Sequence, residues 1–503
     1  MSLGRRMFHS ASIGLLEHCI KVAALFISTP IMAHYLGQEG YGMWLLGMSM
    51  LTYLAIVDMG LTFSATRFLA VAVGSGDQQR QAAVIAVSGR YFHIMGWIVT
   101  LGSLSVLWLI PWLLPGKAHV WDLIFATLFC GVTLSLRFHF RMPGLLLRAH
   151  VRYDLQAWAS IIRVLSQTTA MCLILFRDGG LLGVGLVHGL GDCLELALQA
   201  IFARRLRVPG YAPAADDGRL AELRKDLFHY TRDMLLNSVG NTFRTQVGPM
   251  VIGKLRGAAE VSIYSVSTRI LGILHDVTNA MFGGIVLTAF GQLHGAEDKE
   301  RLNREFNRVT TITAGFGAWA VGGLVLFGDA FIHRWLGDSF AASCSILLIL
   351  AVPHALSIMQ YPAYNLLFTI GGQRGLLWLG FIGGFIAGIL SLLFGRAWGT
   401  QGVAMALATE GLIGSAIGVP WLLHHYCKIN PLRYLAVSIL WPGLKALVLP
   451  VTCAWLLRSQ IVPDYGHLVL CGVAYSLVFV LSAPWLLMDA EGRRLISRAF
   501  TSR

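Results

Sequence analysis

YGMWLLGMSMLTYLAIVDMG, residues 41–60, carries a single charged residue, Asp58. A helix needs about 20 predominantly apolar residues to cross the hydrocarbon core of a bilayer, so this stretch reads as a membrane span. IMGWIVTLGSLSVLWLIPWLL (94–114) and VTTITAGFGAWAVGGLVLFG (309–328) pass the same test. Outward from these, spans follow near 11–33, 41–63, 88–113, 121–143, 155–176, 180–203, 227–253, 261–290, 309–331, 341–369, 373–395, 400–424, 433–457 and 466–487. The 503-residue chain is 56% hydrophobic and only 13% charged, with a mean hydropathy of +0.65. No soluble domain of ordinary composition looks like this. The expected fold class is an all-α polytopic membrane protein of about fourteen transmembrane helices.

A formal net charge of +13 invites a nucleic-acid reading, which the placement of the basic residues excludes. Connections on one side hold roughly 25 Lys and Arg, those on the other roughly 7, and the rest fall inside spans. The rich side includes Arg137, Arg141, Arg148 and Arg152, the run from Arg204 to Lys225, and Arg493, Arg494 and Arg498; on the poor side Lys117, Arg177 and Arg334 stand nearly alone. This asymmetry predicts that both termini lie in the cytoplasm. The eight cysteines are scattered, without a C-x-x-C pair, so neither a disulfide framework nor a metal site is expected. MSLGRRMFHS resembles a signal-peptide n-region, but the apolar stretch behind it carries Glu17 and Lys21 and is long; it reads as a retained first helix.

The connections on the basic-poor side, such as HYLGQEGY, LPGKAH and GRAWGTQ, are too short to fold into a domain. The longest cytoplasmic connection contains PGYAPAADDG (209–218) and has the composition of a linker. The two sides of it echo one another. Gly37 matches Gly257, Gly183 matches Gly402, Asp58 matches Asp276 and Asp192 matches Glu410, each at a step of about 219 residues. The expected organisation is a six-span N-lobe (1–203), a cytoplasmic linker (204–226), a parallel six-span C-lobe (227–425), and two further spans with a basic tail (426–503). Internal repeats of this kind are characteristic of transporters, and the expected architecture is a V-shaped bundle that alternates between inward- and outward-open states.

Ionisable side chains at bilayer depth are functional candidates by default. Lys21 lies mid-span, one turn after Glu17 and on the same face. Arg269 lies about 15 Å into its span at 1.5 Å per residue, with Asp276 seven residues further on, and Arg244 sits in the outer half of the seventh span. Lys21, Arg244 and Arg269 read either as members of internal salt bridges or as a cationic lining for an anionic substrate. Arg, which binds phosphate bidentately, and Lys, a point charge, together suit a pyrophosphate. Glu17, Asp58, Asp192, Glu195, Asp276 and Glu410 read as charge partners or as carriers of protons or Na⁺. Arg90, Arg163 and Arg232 fall near the cytoplasmic span ends, where snorkelling accounts for them. Lys445 is central in the thirteenth span and stays unassigned.

The glycine-rich stretches are not nucleotide loops. Gly185-x-x-x-Gly189 and Gly380-x-x-x-Gly384-x-x-x-Gly388 lie within apolar helices, where small residues permit close helix approach. His424-His425 reads as interfacial. No Walker, H-E-x-x-H or G-x-S-x-G motif is present, so no cofactor and no catalytic residue is expected.

TPIMAHYLGQEGYGMWLLGMSMLTYLAIVDMGLTFSATRFLA (29–70) resembles the opening of the bacterial Wzx-type polysaccharide flippases: a proline closing the first helix (Pro30), then Leu36-Gly37, Tyr41-Gly42, Asp58-Met59-Gly60-Leu61 and the basic Arg67. The wider superfamily includes MATE-type multidrug antiporters and lipid II flippases, with two parallel six-helix lobes. The resemblance implies movement of an undecaprenyl-pyrophosphate-linked oligosaccharide repeat unit between leaflets of the bacterial inner membrane for surface polysaccharide synthesis. Of the family's site only a cationic lumen carries over, onto Lys21, Arg244 and Arg269. The implied partners are the lipid-linked glycan, membrane lipids, and polymerase and chain-length proteins of the same pathway. The rival readings are a MATE-like drug or cation antiporter, which should concentrate carboxylates in its lumen, and a membrane-embedded polymerase or ligase, which should carry a sizeable external loop.

Overall fold

In a bilayer every backbone N–H and C=O must be satisfied within the segment that crosses it, which leaves apolar runs of this length the helix as their outcome. The computed structural model describes residues 3–114, 119–204, 218–456 and 465–487, and every element among them is helical. Lys117, most of the expected linker (205–217) and the basic tail beyond 487 lie outside the described residues. In order, the helices are α1 (Leu3–Gly74), α2 (Gln78–Leu104), α3 (Val106–Leu113), α4 (Val120–His139), α5 (Met142–Ala149), α6 (Tyr153–Leu175), α7 (Gly180–Arg204), α8 (Gly218–Arg256) and α9 (Ala258–Gly295). They continue as α10 (Lys299–Leu336), α11 (Ala342–Met359), α12 (Tyr361–Thr369), α13 (Gln373–Ile413), α14 (Val419–Cys427), α15 (Pro431–Arg433), α16 (Trp441–Leu456) and α17 (Tyr465–Leu487).

Among the described residues ten helices are long and apolar enough to cross a membrane, eleven if the bent pair Ala258–Phe282 and Val286–Gly295 is one span. Two of the ten are of double length, Ile13–Ile56 and Gln373–Cys427, and each is broken by a glycine in a non-helical conformation, Gly37 and Gly399. With these divided and the 39-residue α8 added, the passes number about fourteen. Pro30, expected to end the first helix, lies inside α1, which continues to the break at Gly37. Membrane helices tolerate an internal proline because neighbouring groups re-satisfy the freed carbonyl.

The duplication is written in the backbone. Positive φ occurs at Gly37 and Gly257, Gly76 and Glu297, His119 and Gly337, Val151 and Gly371, and Gly180 and Gly399, five pairs separated by about 219 residues. Asp77 and Asp298 repeat as N-caps, accepting from the backbone N–H of Arg80 and Arg301. The breaks between α4 and α5 and between α11 and α12 fall at Arg141-Met142-Pro143 and Gln360-Tyr361-Pro362, at the same step. A positive φ is costly for most side chains, so a shared series of them marks common backbone geometry where side-chain identity has drifted.

The chain divides into two compact units, Met1–Ser262 and Ile263–Arg503. In the first, α8 lies along α1, α6 and α7 pack on one another, and α4 packs against α2 and α7. The motif residues of the opening acquire physical roles here. Tyr41 is fully buried, and a methyl on Gly42 would sit 1.7 Å from the Ala258 carbonyl oxygen. One on Gly60 would sit 2.8 Å from the Thr231 carbonyl oxygen, while Ser64 Oγ and Thr231 Oγ1 share a hydrogen bond of 2.8 Å. Gly185 and Gly189 of α7 approach Ala126 and Phe129 of α4, as the small-residue spacing predicts. The second glycine series is open at its first member, while Gly384 is buried. A methyl on Gly380 meets nothing within 4 Å, and it is Gly383 that lies under Glu410.

In the second unit α10 is the central helix, contacted by α11, α16 and α17. Trp319 of α10 stacks on Phe479 at 5.5 Å, and the Tyr475 hydroxyl donates to the Trp319 carbonyl at 2.8 Å. The two helices beyond the repeat thus pack on the second unit. At its α11–α12 break the freed carbonyl of Met359 accepts from Thr313 Oγ1 at 3.0 Å, and the fully buried Gln360 donates from Nε2 to the Ser415 carbonyl at 2.7 Å.

Candidate functional site

The functional chemistry of the first unit starts at the break after α4. Interrupting the helix at Phe140 swings Arg141 towards α1, where its guanidinium meets Asp58 (NH2 to Oδ2, 2.5 Å) and donates from Nε to Thr62 Oγ1 at 3.3 Å. Thr62 in turn donates to Asp58. A charge pair this deep is stabilised only when its remaining hydrogen-bonding capacity is met, and Thr62 meets part of it. This accounts for Asp58 in the opening motif as the anchor of the α4 end.

One helical turn earlier, Arg137 lies in the wall of a recess of about 610 Å³ formed by α1, α4, α5, α6 and α7. Its charged lining comprises Lys21, Arg137, Arg148 and Arg163 against Glu17 and Glu195. Tyr153, Gln156 and Ser160 supply neutral polar groups. Lys21 is ion-paired to Glu17, one turn away on α1. Arg163 lies 2.9 Å through Nε from Glu195 and donates from NH1 to Gln167 Oε1 at 2.9 Å. Behind the wall Asp192, its side chain 9% exposed, lies 3.6 Å from both Arg137 and Arg163. Arg148 donates from Nε to the neutral Gln156 Oε1 at 2.9 Å, and among the described residues it pairs with no carboxylate. Around the recess four cations meet two carboxylates, or three when Asp192 is included. The excess is positive on either count.

Sequence reasoning found part of this cluster. Lys21, Glu17, Asp192 and Glu195 are here, and the expected pairing of Lys21 with Glu17 is present. Arg163 was expected to snorkel outward. Instead it lies about ten residues, or ~15 Å, along α6, its side chain 19% exposed and directed at two carboxylates of α7. Arg137 and Arg148 were read as members of cytoplasmic connections. The available signal was the facing pair Asp192 and Glu195, one turn apart on α7, which an inward-turned arginine had to answer. Arg244 lies half-buried on α8 in the first unit, and Arg269 half-buried on α9 in the second, with Asp276 exposed on the same helix. Glu410 is buried on α13, and Lys445 lies over the Trp441 ring at 4.8 Å. His425 stacks on Trp421, and among the described residues no group of His, Cys, Asp and Glu could hold a metal ion.

The second copy of the repeat does not reproduce the recess chemistry. At the step of about 219 residues, Lys21, Arg137, Arg148 and Arg163 face Asn241, Leu356, Leu367 and Ile382. The scaffold is duplicated and the cationic set is not.

Comparison with known proteins agrees with this architecture. The model of the family described as polysaccharide biosynthesis protein matches residues 10–294. No curated protein sequence matches the chain. Among solved structures, the inward-facing form of a multidrug resistance MATE family transporter of the MOP superfamily superposes with a TM-score of 0.69 at 15% identity, covering 82% of this chain and 98% of that one. The lipid II flippase MurJ, in an inward closed conformation, gives 0.68 at 13% identity, covering 95% and 99%. A MOP superfamily transporter from Pyrococcus furiosus, for which a reversed polarity of the binding pocket suggests a different function, gives 0.60 at 14% identity over 84% and 95%. At these identities the likeness is one of fold.

Proposed function

The chain belongs to the polysaccharide biosynthesis protein family, and from that premise we propose that it is a flippase carrying an undecaprenyl-pyrophosphate-linked oligosaccharide repeat unit across the bacterial inner membrane, with both termini in the cytoplasm. The observation that carries this reading is the positive excess around the recess of the first unit, where Lys21, Arg137, Arg148 and Arg163 outnumber the lining carboxylates. Drug and cation antiporters share the fold, and a cation carrier is served by the opposite sign of charge. An anionic head group is what this lining accommodates, because cations at bilayer depth are stabilised by partners of opposite charge.

On this reading the six-helix repeat supplies two lobes that alternate access, divided at residues 204–226. Lys21, Arg244 and Arg269 are the proposed substrate-contacting cations. Glu17, Asp58, Asp192, Asp276 and Glu410 balance it or couple it to an ion gradient. The chain is a carrier and not an enzyme, working beside the polymerase and chain-length proteins that use its product. Deletion should abolish surface polysaccharide and leave lipid-linked repeat units on the inner leaflet. Their accumulation on the outer leaflet, unpolymerised, would instead identify a polymerase or ligase.

A further inference from the structure

We infer that the outward face of α16 is a docking surface for a transmembrane helix of a second membrane protein, one that carries an Asp or Glu near mid-bilayer to meet Lys445. Lys445 lies outside the repeat and outside the recess, and carriage of a glycan makes no use of it.

Depth comes first. The membrane-capable span Pro431–Thr452 runs on to Leu456 at the end of α16. At 1.5 Å per residue Lys445 stands about 20 Å from Pro431 and about 16 Å from Leu456, near the middle of a hydrocarbon core of about 30 Å. Its four-carbon stem does not bring the ammonium to either interface. Direction comes second. α16 turns Gly443 and Ala446 inward: a methyl on Gly443 would lie 3.5 Å from Ala318 Cβ of α10, and Ala446 is buried. Trp441, Lys445, Val448 and Thr452 are all exposed on the other side. Their steps of four, three and four residues place them in one stripe, the spacing with which one helix meets another along a seam. Thr452 Oγ1 already donates to the carbonyls of Val448 and Leu449, so the unmet demand of the stripe is that of Lys445.

The countercharge does not come from the neighbouring helices. Lys445 Nζ lies 4.8 Å over the Trp441 ring, whose face attracts a cation without neutralising it. Among the described residues Lys445 makes no hydrogen bond and no ion pair. α16 packs on α10 and α17. α17 carries no Asp or Glu, and those of α10, Glu300, Glu305 and Asp329, lie towards its ends. Charge also selects the occupant. Lipid tails offer no countercharge, and lipid head groups lie at the interface. A second copy related by an axis along the membrane normal would set Lys445 against Lys445 at one depth, like charge against like. Ionisable side chains within the bilayer pair with one another, and a different protein's helix with a carboxylate at this depth meets that demand.

The test is resonance energy transfer in phosphatidylcholine vesicles between the labelled full-length chain and a synthetic Leu/Ala transmembrane helix with one central Glu. Peptide densities are kept too low for the helices to pair among themselves. The Glu helix should associate about tenfold more tightly than the same helix with a central Leu, the scale of a polar contact between helices in a bilayer. Lys445→Leu should remove that preference, and Lys445→Glu should reverse it in favour of a helix with a central Lys. A reversal of preference does not arise from damage to the fold. Equal association of the Glu and Leu helices with the wild type, or an unchanged preference in Lys445→Leu, overturns the surface. Energy transfer between two labelled copies that Lys445→Leu abolishes gives the stripe to a second copy and overturns it too. Phosphatidylglycerol retained by the wild type but not by Lys445→Leu, without preference for the Glu helix, gives Lys445 to an anionic lipid instead. Lys445→Leu should leave glycan exchange between leaflets unchanged. Loss of exchange in that variant places Lys445 in the transport path and overturns the docking role while leaving the flippase reading intact.

Discussion

At the scale of single residues, the two copies of the repeat answer the same structural problem differently, and that difference can be exploited. Both break a helix at the first residue of an x-x-Pro sequence. Arg141 ties its break to Asp58 by charge, whereas Gln360 ties its own to the Ser415 carbonyl by an amide. Removing one partner of a largely buried pair leaves the other uncompensated, a loss that reaches ~3–5 kcal/mol for full burial. Asp58 is 26% exposed and Arg141 18%, which lowers the effect to about 1–3 kcal/mol. Asp58→Asn should therefore lower the melting temperature of the detergent-purified protein, and adding Arg141→Gln should restore much of it. A double variant worse than the single one would show that the pair is not the anchor of the break. Arg269 calls for a different experiment. If it contacts the substrate, Arg269→Ala should abolish polysaccharide export while the protein still accumulates in the membrane, and Arg269→Lys should keep partial function. Rescue of export by Arg269→Ala/Asp276→Ala would assign it to a structural pair instead.

At the scale of elements, close helix approach in the first unit depends on glycines whose missing side chains are filled by backbone. Gly42→Ala places a methyl 1.7 Å from the Ala258 carbonyl oxygen, and α8 or α9 must move; overpacking of this kind costs about 1–3 kcal/mol. Gly380→Ala, with nothing within 4 Å, should be neutral or slightly stabilising, since alanine is the better helix former. Fluorescence-detected size-exclusion profiles of the two variants after a heat step should separate them clearly, and equal profiles would count against the packing described. Much of the helical order was legible in the sequence, because the hydrophobic run length is the direct physical requirement for crossing a bilayer. The glycine contacts were half legible. Gly185 and Gly189 meet the neighbouring helix as their spacing implies, whereas on α13 Gly380 meets nothing and Gly383 lies under Glu410, because spacing alone does not say which face of a helix meets a partner.

At the scale of the whole molecule, duplication explains why so little of the site could be read in advance. The repeat shows in glycines, caps and helix breaks, which are constrained by backbone geometry in both copies. The recess is confined to one copy and is assembled from five helices, so no short stretch of sequence contains it. Arg137 and Arg148 looked like ordinary members of a basic cytoplasmic face, because the positive-inside pattern and a cationic recess have the same composition. The charge asymmetry itself makes a global prediction. Reporter fusions at Ser2 and at Arg503 should both report the cytoplasm, and an external reporter at either position would break the even-span topology.

The central claim is that the chain moves an anionic lipid-linked glycan, and the most direct measurement is leaflet exchange in proteoliposomes. Vesicles holding the purified chain and a polyprenyl-pyrophosphate-linked oligosaccharide should expose the inner-leaflet glycan to an added glycosidase faster than protein-free vesicles. Arg148→Gln should reduce that exchange, and a cationic dye should not be transported. Dye transport without glycan exchange would contradict the account and return the chain to the antiporters whose fold it shares.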